Sequence, residues 1–543
     1  MQCLPARYYD YKTKIWECRL DDVPYILSEA TRMGHTVFYN GKEYSFTPKD
    51  KNALEVITTC LKTKPYQHQV ESLEYSIDHK KFLLADEQGL GKSLSSLEIA
   101  LYNKKQCGYK HCLIICGVNG LKYNWFNEVK QHTTETAHIL GQRKTKNGLT
   151  IGSNKDKLDD LLNLDNLPYF IITNIESLRY KIKTGNIKKV HGKNVEEVEY
   201  PIINALNDKS DSINMIIADE CHKMKNPESE QGKQFLNLSA DSMIAMTGTP
   251  IMNNPLDLFI ILKWLGYEEH SFFQFKVHYC RMGGFGGYEV VGYKNLEQLQ
   301  IILDRMMLRR LKSDVLDLPE KIYMTEYVEM STKQEKIYDE IKDDLLCNID
   351  KIKINPSPLS ELIRLRQATG YTGILSSTVK ESAKLDRLVE LVDDIVQNDQ
   401  KVLIFSNWTS MTDIIAERLD KYKPDQITGK VSDQLRDVGV RRFQHSPCSK
   451  VLIGTIGAMG TGLTLTAATN VIFFDHPWTA AMYDQAVDRC HRIGTKHSVN
   501  VYNLITKDTI DERIFTLLEQ KRQLSDAIID NKVNGDTIKY LLS

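Results

Sequence analysis

Short apolar runs recur along this chain, each ended by a polar or helix-patterned stretch. In the first half they are Phe82–Ala85, Cys112–Cys116, Tyr169–Ile172, Met215–Ala218 and Met243–Met246. In the second half they are Val402–Phe405, Val451–Ile453, Val471–Phe474 and Val499–Leu504. Runs this short and this continuous are the pattern of parallel strands covered on both faces. The expectation is an α/β protein with two doubly wound lobes, whose ligand loops leave the carboxyl ends of the strands. Residues 255–380 lack the rhythm and read as helical, with a loop at Asn355–Pro358. The first 60 residues belong to neither lobe.

The loop after the first run reads Asp86-Glu-Gln-Gly89-Leu-Gly91-Lys92-Ser93. A buried strand that feeds a tight glycine turn ending in Lys-Ser suits a nucleoside triphosphate. Backbone N–H groups close on the phosphates, Lys92 reaches the β/γ-phosphates, and the Ser93 hydroxyl ligates Mg²⁺. A helix starting there adds its positive end. Asp86 stands where the general pattern has its first glycine, so a plain glycine turn is the competing reading.

The run at 214–218 ends in Asp219-Glu220-Cys221-His222. Asp219 at a strand end can hold Mg²⁺, and Glu220 can orient an attacking water. An acidic pair there also suits a solvated turn. Met246-Thr247-Gly248-Thr249-Pro250 follows the next run; its short hydroxyls can relay nucleotide state. Far along the chain, Gln485-Ala-Val-Asp-Arg489-Cys-His-Arg492-Ile-Gly sets two arginines three apart, on one helix face. Phosphoryl transfer needs a cation at the developing γ-phosphate charge, a role that suits the guanidinium fork.

With these strings in hand, the chain resembles the Swi/Snf-type branch of the superfamily 2 helicase-like ATPases over about residues 60–520. The shared motifs run in order: Pro65-Tyr66-Gln67, D-E-Q-G-L-G-K-S, Ile172-Thr173-Asn174, D-E-C-H, T-G-T-P, Leu308-Arg-Arg-Leu-Lys-Ser-Asp-Val315, Val402 to Asn407, Thr455 to Leu465, and Q-A-V-D-R-C-H-R-I-G. The resemblance implies two RecA-like lobes, 61–265 and 381–543, with helical protrusions and a linker over 266–380. It implies ATP with Mg²⁺ hydrolysed between the lobes, and Gln67 reading adenine. It implies catalytic roles for Lys92, Asp219, Glu220, Gln485, Arg489 and Arg492, nucleotide contacts from Gly89, Gly91 and Ser93, and DNA contacts near Asn174, Asn407, Thr455 and Trp478. The sequence departs from the family pattern at Thr495, where Gln is usual, and at Thr464, where many members have Asn.

Segment 1–60 reads as a hairpin over 8–20 followed by a helix at Pro24–Arg32. It resembles a shortened HepA-related (HARP) module of annealing helicases, and an ordinary capping module is the competing reading. Residues 181–194 hold five lysines and no acid, with Gly185-Asn186 and Gly192 marking a hairpin; it is read either as an arm on the DNA backbone or as a solvated surface feature. Eleven cysteines without a C-x-x-C pair indicate neither a disulfide framework nor a zinc ribbon. Cys107, His111, Cys112 and Cys116 read as the surroundings and interior of one strand. The net charge of −1 leaves no global basic footprint, so a DNA groove has to be local.

No membrane-spanning run or signal peptide is read, and a monomer in the cytoplasm of a bacterium or a phage-infected bacterium is expected. The functional expectation is an ATP-dependent translocase on duplex or forked DNA, indifferent to base sequence, in replication, fork repair or recombination. Replication or single-strand-binding proteins are its expected partners. A strand-separating helicase and an ATP-gated DNA clamp stay open as alternatives.

Overall fold

The computed structural model describes the backbone of residues 7–10, 15–18, 37–39 and 42–44, and residues 61–529 apart from 119–120, 146–147, 191–192, 252–253, 285, 287–288, 317, 348–357, 460–462, 493–494 and 496. The chain divides into two compact units. One runs to Glu87 and continues from Gly91 to Leu311; the other takes Gln88–Leu90 and Lys312–Leu524.

The first unit is built on a seven-stranded sheet. Its strands are β1 (Lys81–Leu84), β2 (His111–Cys116), β3 (Ala137–Ile139), β4 (Phe170–Asn174), β5 (Ile213–Asp219), β6 (Ser242–Met246) and β7 (Met307–Leu308). They lie in the order β7-β1-β6-β5-β2-β4-β3, and every pairing is parallel. Each run read from the sequence is a strand here. Alternate residues serve opposite faces. Phe82, Leu84, Cys112, Ile114, Ile172, Ile217 and Met246 share one core with Leu97, Ala100 and Leu101 of helix α2 (Lys92–Cys107) and with Trp125 and Val129 of helix α3 (Leu121–His132). Leu83, Leu113, Ile115, Ile171 and Ile216 between them are equally buried. A sheet covered on both sides cannot alternate apolar with polar, which is why its strands were legible as continuous runs.

The second unit repeats the plan with six parallel strands: β8 (Lys321–Val328), β9 (Val402–Ser406), β10 (Asp425–Ile427), β11 (Val451–Thr455), β12 (Asn470–Phe473) and β13 (Val499–Thr506). Their order is β8-β13-β12-β9-β11-β10. Leu403, Phe405, Leu452, Val471 and Phe473 enter one core, and Val402, Ile404, Val451, Ile453 and Ile472 the other.

Strand β8 falls in the stretch read as helical. Its sequence KIYMTEYV keeps Ile322, Tyr323 and Tyr327 well exposed, because an edge strand buries only part of its side chains. The same stretch holds a hairpin, Cys280–Gly283 with Glu289–Tyr293, besides helices such as Leu296–Met306, Thr332–Cys347 and α4 (Pro358–Gly370). Of the loop expected at 355–358, residues 355–357 lie outside the described residues, and Pro358 opens α4, where its fixed φ is favourable.

Near the start of the chain, Arg7–Asp10 pairs antiparallel with Ile15–Cys18, placing Tyr9 opposite Trp16. Val37–Tyr39 pairs likewise with Lys42–Tyr44. The helix expected at Pro24–Arg32 lies outside the described residues. The lysine segment is a hairpin, with Ile182–Val190 antiparallel to Lys193–Glu199. Gly185, at φ 78°, marks a register shift within the first strand. Acids answer the lysines: Lys183 pairs with Glu196 of the returning strand at 2.6 Å, and Lys181 with Glu230 of the helix Glu230–Phe235 at 3.8 Å. Among the described residues, no helix is long and apolar enough to cross a membrane.

One core residue is anomalous. Glu98 on α2 is fully buried, and neither carboxyl oxygen has a hydrogen-bond partner. Burial pushes its pKa up from 4.5 to about 8. Below pH 4.5 the carboxyl is neutral in both folded and unfolded chains. Between 4.5 and 8 the unfolded chain ionises while the folded one holds its proton, so stability falls as pH rises. At pH 7 the cost is on the order of 3 kcal/mol. Glu98→Met should therefore raise the thermal midpoint, by a margin that grows from pH 5 to pH 8. An equal gain at both pH values would show that the carboxyl does not titrate in this way.

Candidate functional site

Parallel strands deliver all their carboxyl ends to one edge of a sheet. In the first unit that edge gathers the loop after β1, the acidic pair after β5, the T-G-T-P turn after β6, and Asn174 at the end of β4. Gly89 and Gly91 have φ of 90° and 78°, left-handed values that L side chains rarely adopt. Gly91 is the N-cap of α2 and has no side chain to cap the helix; the first N–H groups thus face the loop, an arrangement that suits an anion. Lys92 and Ser93 follow as the first residues of the helix.

The Lys92 ammonium donates to the carbonyls of Asp86 at 2.7 Å and Glu87 at 3.3 Å. Burial draws its pKa down, while Glu220, Asp86 and Asp219 pull it back up. The carboxylates that surround this cation are therefore those of the D-E-C-H string and of the loop itself. Asp219 Oδ2 accepts from Trp125 Nε1 at 2.8 Å, and Oδ1 accepts from the Glu220 amide at 2.9 Å. Burial first, and the neighbouring Glu220 second, push the Asp219 pKa up to about 7, against the Trp125 bond and Lys92.

Glu220 sits at φ 51°, ψ 46°, a conformation that costs a non-glycine residue roughly 1–3 kcal/mol and collects at functional sites. Its Oε2 is 3.2 Å from Nδ1 of His222. The same Nδ1 is 2.9 Å from Thr247 Oγ1, which also accepts from the Thr249 amide at 3.0 Å. Burial pushes the His222 pKa down to about 4, so the ring is neutral at physiological pH. The acidic string and the T-G-T-P turn are thus joined through one imidazole.

Asp86, read as a departure from the glycine pattern, is fully buried. Its Oδ2 accepts from Arg310 Nη1 at 3.0 Å, and that guanidinium atom also donates to Ser72 Oγ at 3.0 Å. Arg309 Nη1 donates to the Ala85 carbonyl at 3.0 Å. The Glu87 amide donates to the Arg310 carbonyl at 2.9 Å, and the Ala85 amide to that of Leu308 at 2.8 Å. The loop is thus clamped by the string that follows β7. That string stands among the shared motifs of the sequence, and no role was expected of its arginines.

Gln67 opens helix α1 (Gln67–Asp78), is exposed, and reaches Glu71 Oε1 at 3.4 Å. Its buried neighbour Gln69 is the one that reaches the loop, donating to the Gly91 carbonyl at 3.3 Å. The amide of Asn174 is turned inward, donating to Glu176 Oε2 and accepting from Ser177 Oγ. Cys112 and Cys116 are buried strand residues whose thiol pKa values burial pushes up.

In the second unit, Asn407, Thr455 and Trp478 follow or end β9, β11 and β12, neighbouring strands in which Ser406 lies in register with Thr455. The Asn407 amide donates to Asp475 Oδ1 and to the His476 carbonyl. Arg366 of α4 donates to the same carbonyl, and its guanidinium lies 4.6 Å from the Trp478 ring centre and 5.7 Å from that of Trp408. Trp478 itself is 40% exposed. Gln485 is buried on helix α5 (Ala480–Val487). Arg489 and Arg492 lie beyond the end of that helix, in a turn and bend and not on the helix face expected, and both guanidinium groups reach the Leu463 carbonyl at 3.5 Å. Just before them Asp488 is buried and accepts from Lys312 at 2.6 Å and Lys321 at 2.9 Å.

The SNF2-related domain matches residues 51–374, more than half of the chain. The chain belongs to the SNF2-related family. The helicase conserved C-terminal domain matches residues 383–494. Among curated relatives, YwqA of Bacillus subtilis is 27% identical over 92% of this chain and 51% of its own. The SWI/SNF-related matrix-associated actin-dependent regulator of chromatin subfamily A-like protein 1 homolog of Caenorhabditis elegans is 27% identical over 99% of this chain and 73% of its own. The human DNA annealing helicase and endonuclease ZRANB3 is 25% identical over 90% of this chain and 42% of its own. This chain thus spans about half of YwqA and less than half of ZRANB3.

The clamp on the nucleotide loop gives a direct test. Arg310→Met strands the buried Asp86 carboxylate and should cost about 3–5 kcal/mol. Adding Asp86→Leu removes the stranded charge and should recover most of that loss, as read from the thermal midpoints of the two variants. A double variant no more stable than the single one would show that the ion pair is not what the arginine contributes.

Proposed function

We propose that this SNF2-related chain is a DNA-dependent ATPase that converts ATP hydrolysis into movement along duplex or forked DNA. The observation that carries the reading is the gathering of Lys92, Ser93, Asp219 and Glu220 at one sheet edge, around a helix N-terminus left without a side-chain cap. The residues present fit Mg²⁺. Ser93 and Asp219 offer two oxygen ligands, a small protein set suited to an ion that keeps waters and takes its remaining ligands from substrate phosphates. When bound, the ion neutralises charge on the phosphate oxygens.

The chain's own groups do the rest. Lys92 exchanges the carbonyls of Asp86 and Glu87 for β/γ-phosphate oxygens, and the α2 amides hold the remaining phosphate charge. Glu220, fixed by its strained backbone and by His222, orients the attacking water. His222 passes the state of that carboxylate to Thr247. Arg489 and Arg492, carried by the second unit, supply the cationic charge that phosphoryl transfer requires. Gln485 lies on the helix that leads into them, and Gln67 with Gln69 borders the nucleotide.

DNA contacts are assigned to the carboxyl edges that carry Asn174 in one unit and Asn407, Thr455 and Trp478 in the other. Asn174 spends its amide on its own loop and Asn407 on the neighbouring loop after β12, so they shape those loops, and the contacts fall to backbone donors, Thr455 and the exposed face of Trp478. Such contacts are to the phosphate backbone and do not read sequence. The named activity of ZRANB3 supports DNA as the polymer. A place in replication, fork repair or recombination, and replication or single-strand-binding proteins as partners, follow from the same reading.

The test is ATP turnover measured in parallel without DNA and with single-stranded, duplex and forked DNA, with Glu220→Gln as the inactive control. Stimulation by duplex or fork of more than ten-fold is expected. Stimulation by single strands alone would favour a strand-separating helicase, and none at all an ATP-gated clamp. The pH profile supplies a second test. kcat/KM for ATP, which reports the free enzyme, should rise as Asp219 loses its proton through about pH 7. Trp125→Phe removes a hydrogen bond that favours the carboxylate, so the acid limb should move to higher pH by about one pH unit. A limb that stays in place in that variant would rule out Asp219 as the titrating group.

A further inference from the structure

Two threonines mark the places where this sequence departs from the family pattern, and both lie on the same arginine. Thr464 Oγ1 accepts from Arg492 Nη1 at 2.9 Å. Thr495 Oγ1 accepts from the Arg492 amide at 3.1 Å, and its own proton goes to the carbonyl of Cys490 at 2.6 Å or of Arg492 at 2.8 Å. The Thr495 amide donates to the Arg492 carbonyl as well, at 3.0 Å. One hydroxyl therefore holds the guanidinium and the other closes the backbone turn that carries it.

The surrounding contacts give the pair a frame. The Leu465 amide donates to the Arg489 carbonyl at 2.9 Å, so segment 463–465 lies directly against the arginine turn. Thr464 is exposed, and the stability of the fold does not rest on it. A flexible arginine loses rotamer entropy when it is ordered, and one bond from a charged donor to a fixed acceptor offsets part of that loss before any ligand arrives. β-branched threonines are stiff at χ1, which makes their hydroxyls better fixed points than a long amide.

We propose that Thr464 and Thr495 are positioning residues for Arg492: they pre-order its side chain and its backbone for phosphoryl transfer, and they act only through it. This rests on the catalytic reading of Arg492, and the experiment separates the two. Turnover and KM for ATP are measured, with the DNA that stimulates best, for Thr464→Val, Thr495→Val, Thr464→Ser, Thr495→Ser and Arg492→Ala, and for each valine change combined with Arg492→Ala.

The expected result is a roughly ten-fold fall in kcat for each valine variant with KM for ATP unchanged, recovery in each serine variant, and no further fall when either valine is added to Arg492→Ala. Exposed Thr464→Val keeps the test decisive even if Thr495→Val folds poorly. Wild-type kcat in Thr464→Val, or the same ten-fold loss on top of Arg492→Ala, overturns the proposal while leaving the arginine's role intact. Wild-type turnover in Arg492→Ala would overturn the arginine's role itself, and the proposal with it.

Discussion

Parallel pairing is the constraint from which the rest of this molecule follows. A parallel strand has to be re-entered from the same end, so each is followed by a crossover and each loop of consequence leaves from the same edge. In the first unit this brings residues as distant in sequence as Lys92, Glu220 and Thr247 to one rim. In the second it does the same for Asn407, Thr455 and Trp478. Helices on both faces then bury the central strands, and little of the sheet interior except that rim can carry polar chemistry.

The rim of the first unit concentrates charge where water is scarce. Lys92, Asp86 and Asp219 lie close to one another and to Glu220, and burial opposes the charged form of each of these three. Such a cluster is tolerable because each member has partners. The lysine has loop carbonyls, Asp86 has Arg310, and Asp219 has an indole and an amide.

How much of this could be read in the sequence depended on distance along the chain. The strands were legible because burial on both faces writes an unbroken apolar run. Lys321–Val328 was not, because an edge strand leaves Ile322, Tyr323 and Tyr327 exposed and mimics a polar helix. Asp425–Ile427 is too short to write any pattern. The glycine loop and D-E-C-H were legible because their chemistry is local. The clamp of Arg309 and Arg310, the Trp125 bond to Asp219 and the inward turn of both asparagines were not, since each depends on a partner that only the fold supplies. The lysine hairpin was visible, yet its acidic partners lie beyond the lysine-rich string, Glu196 on the returning strand and Glu230 on a later helix.

The bond between Asp86 and Arg310 joins residues 224 positions apart, and it bears on the order in which the protein can be made. A nascent chain that has left the ribosome as far as residue 300 already contains the glycines, the lysine and both carboxylates. It lacks β7, which pairs with β1, and the guanidinium that neutralises the buried Asp86. The glycine loop is synthesised well before the guanidinium that neutralises its buried Asp86, so a chain truncated before residue 310 keeps the whole glycine-loop motif without the clamp that shapes it.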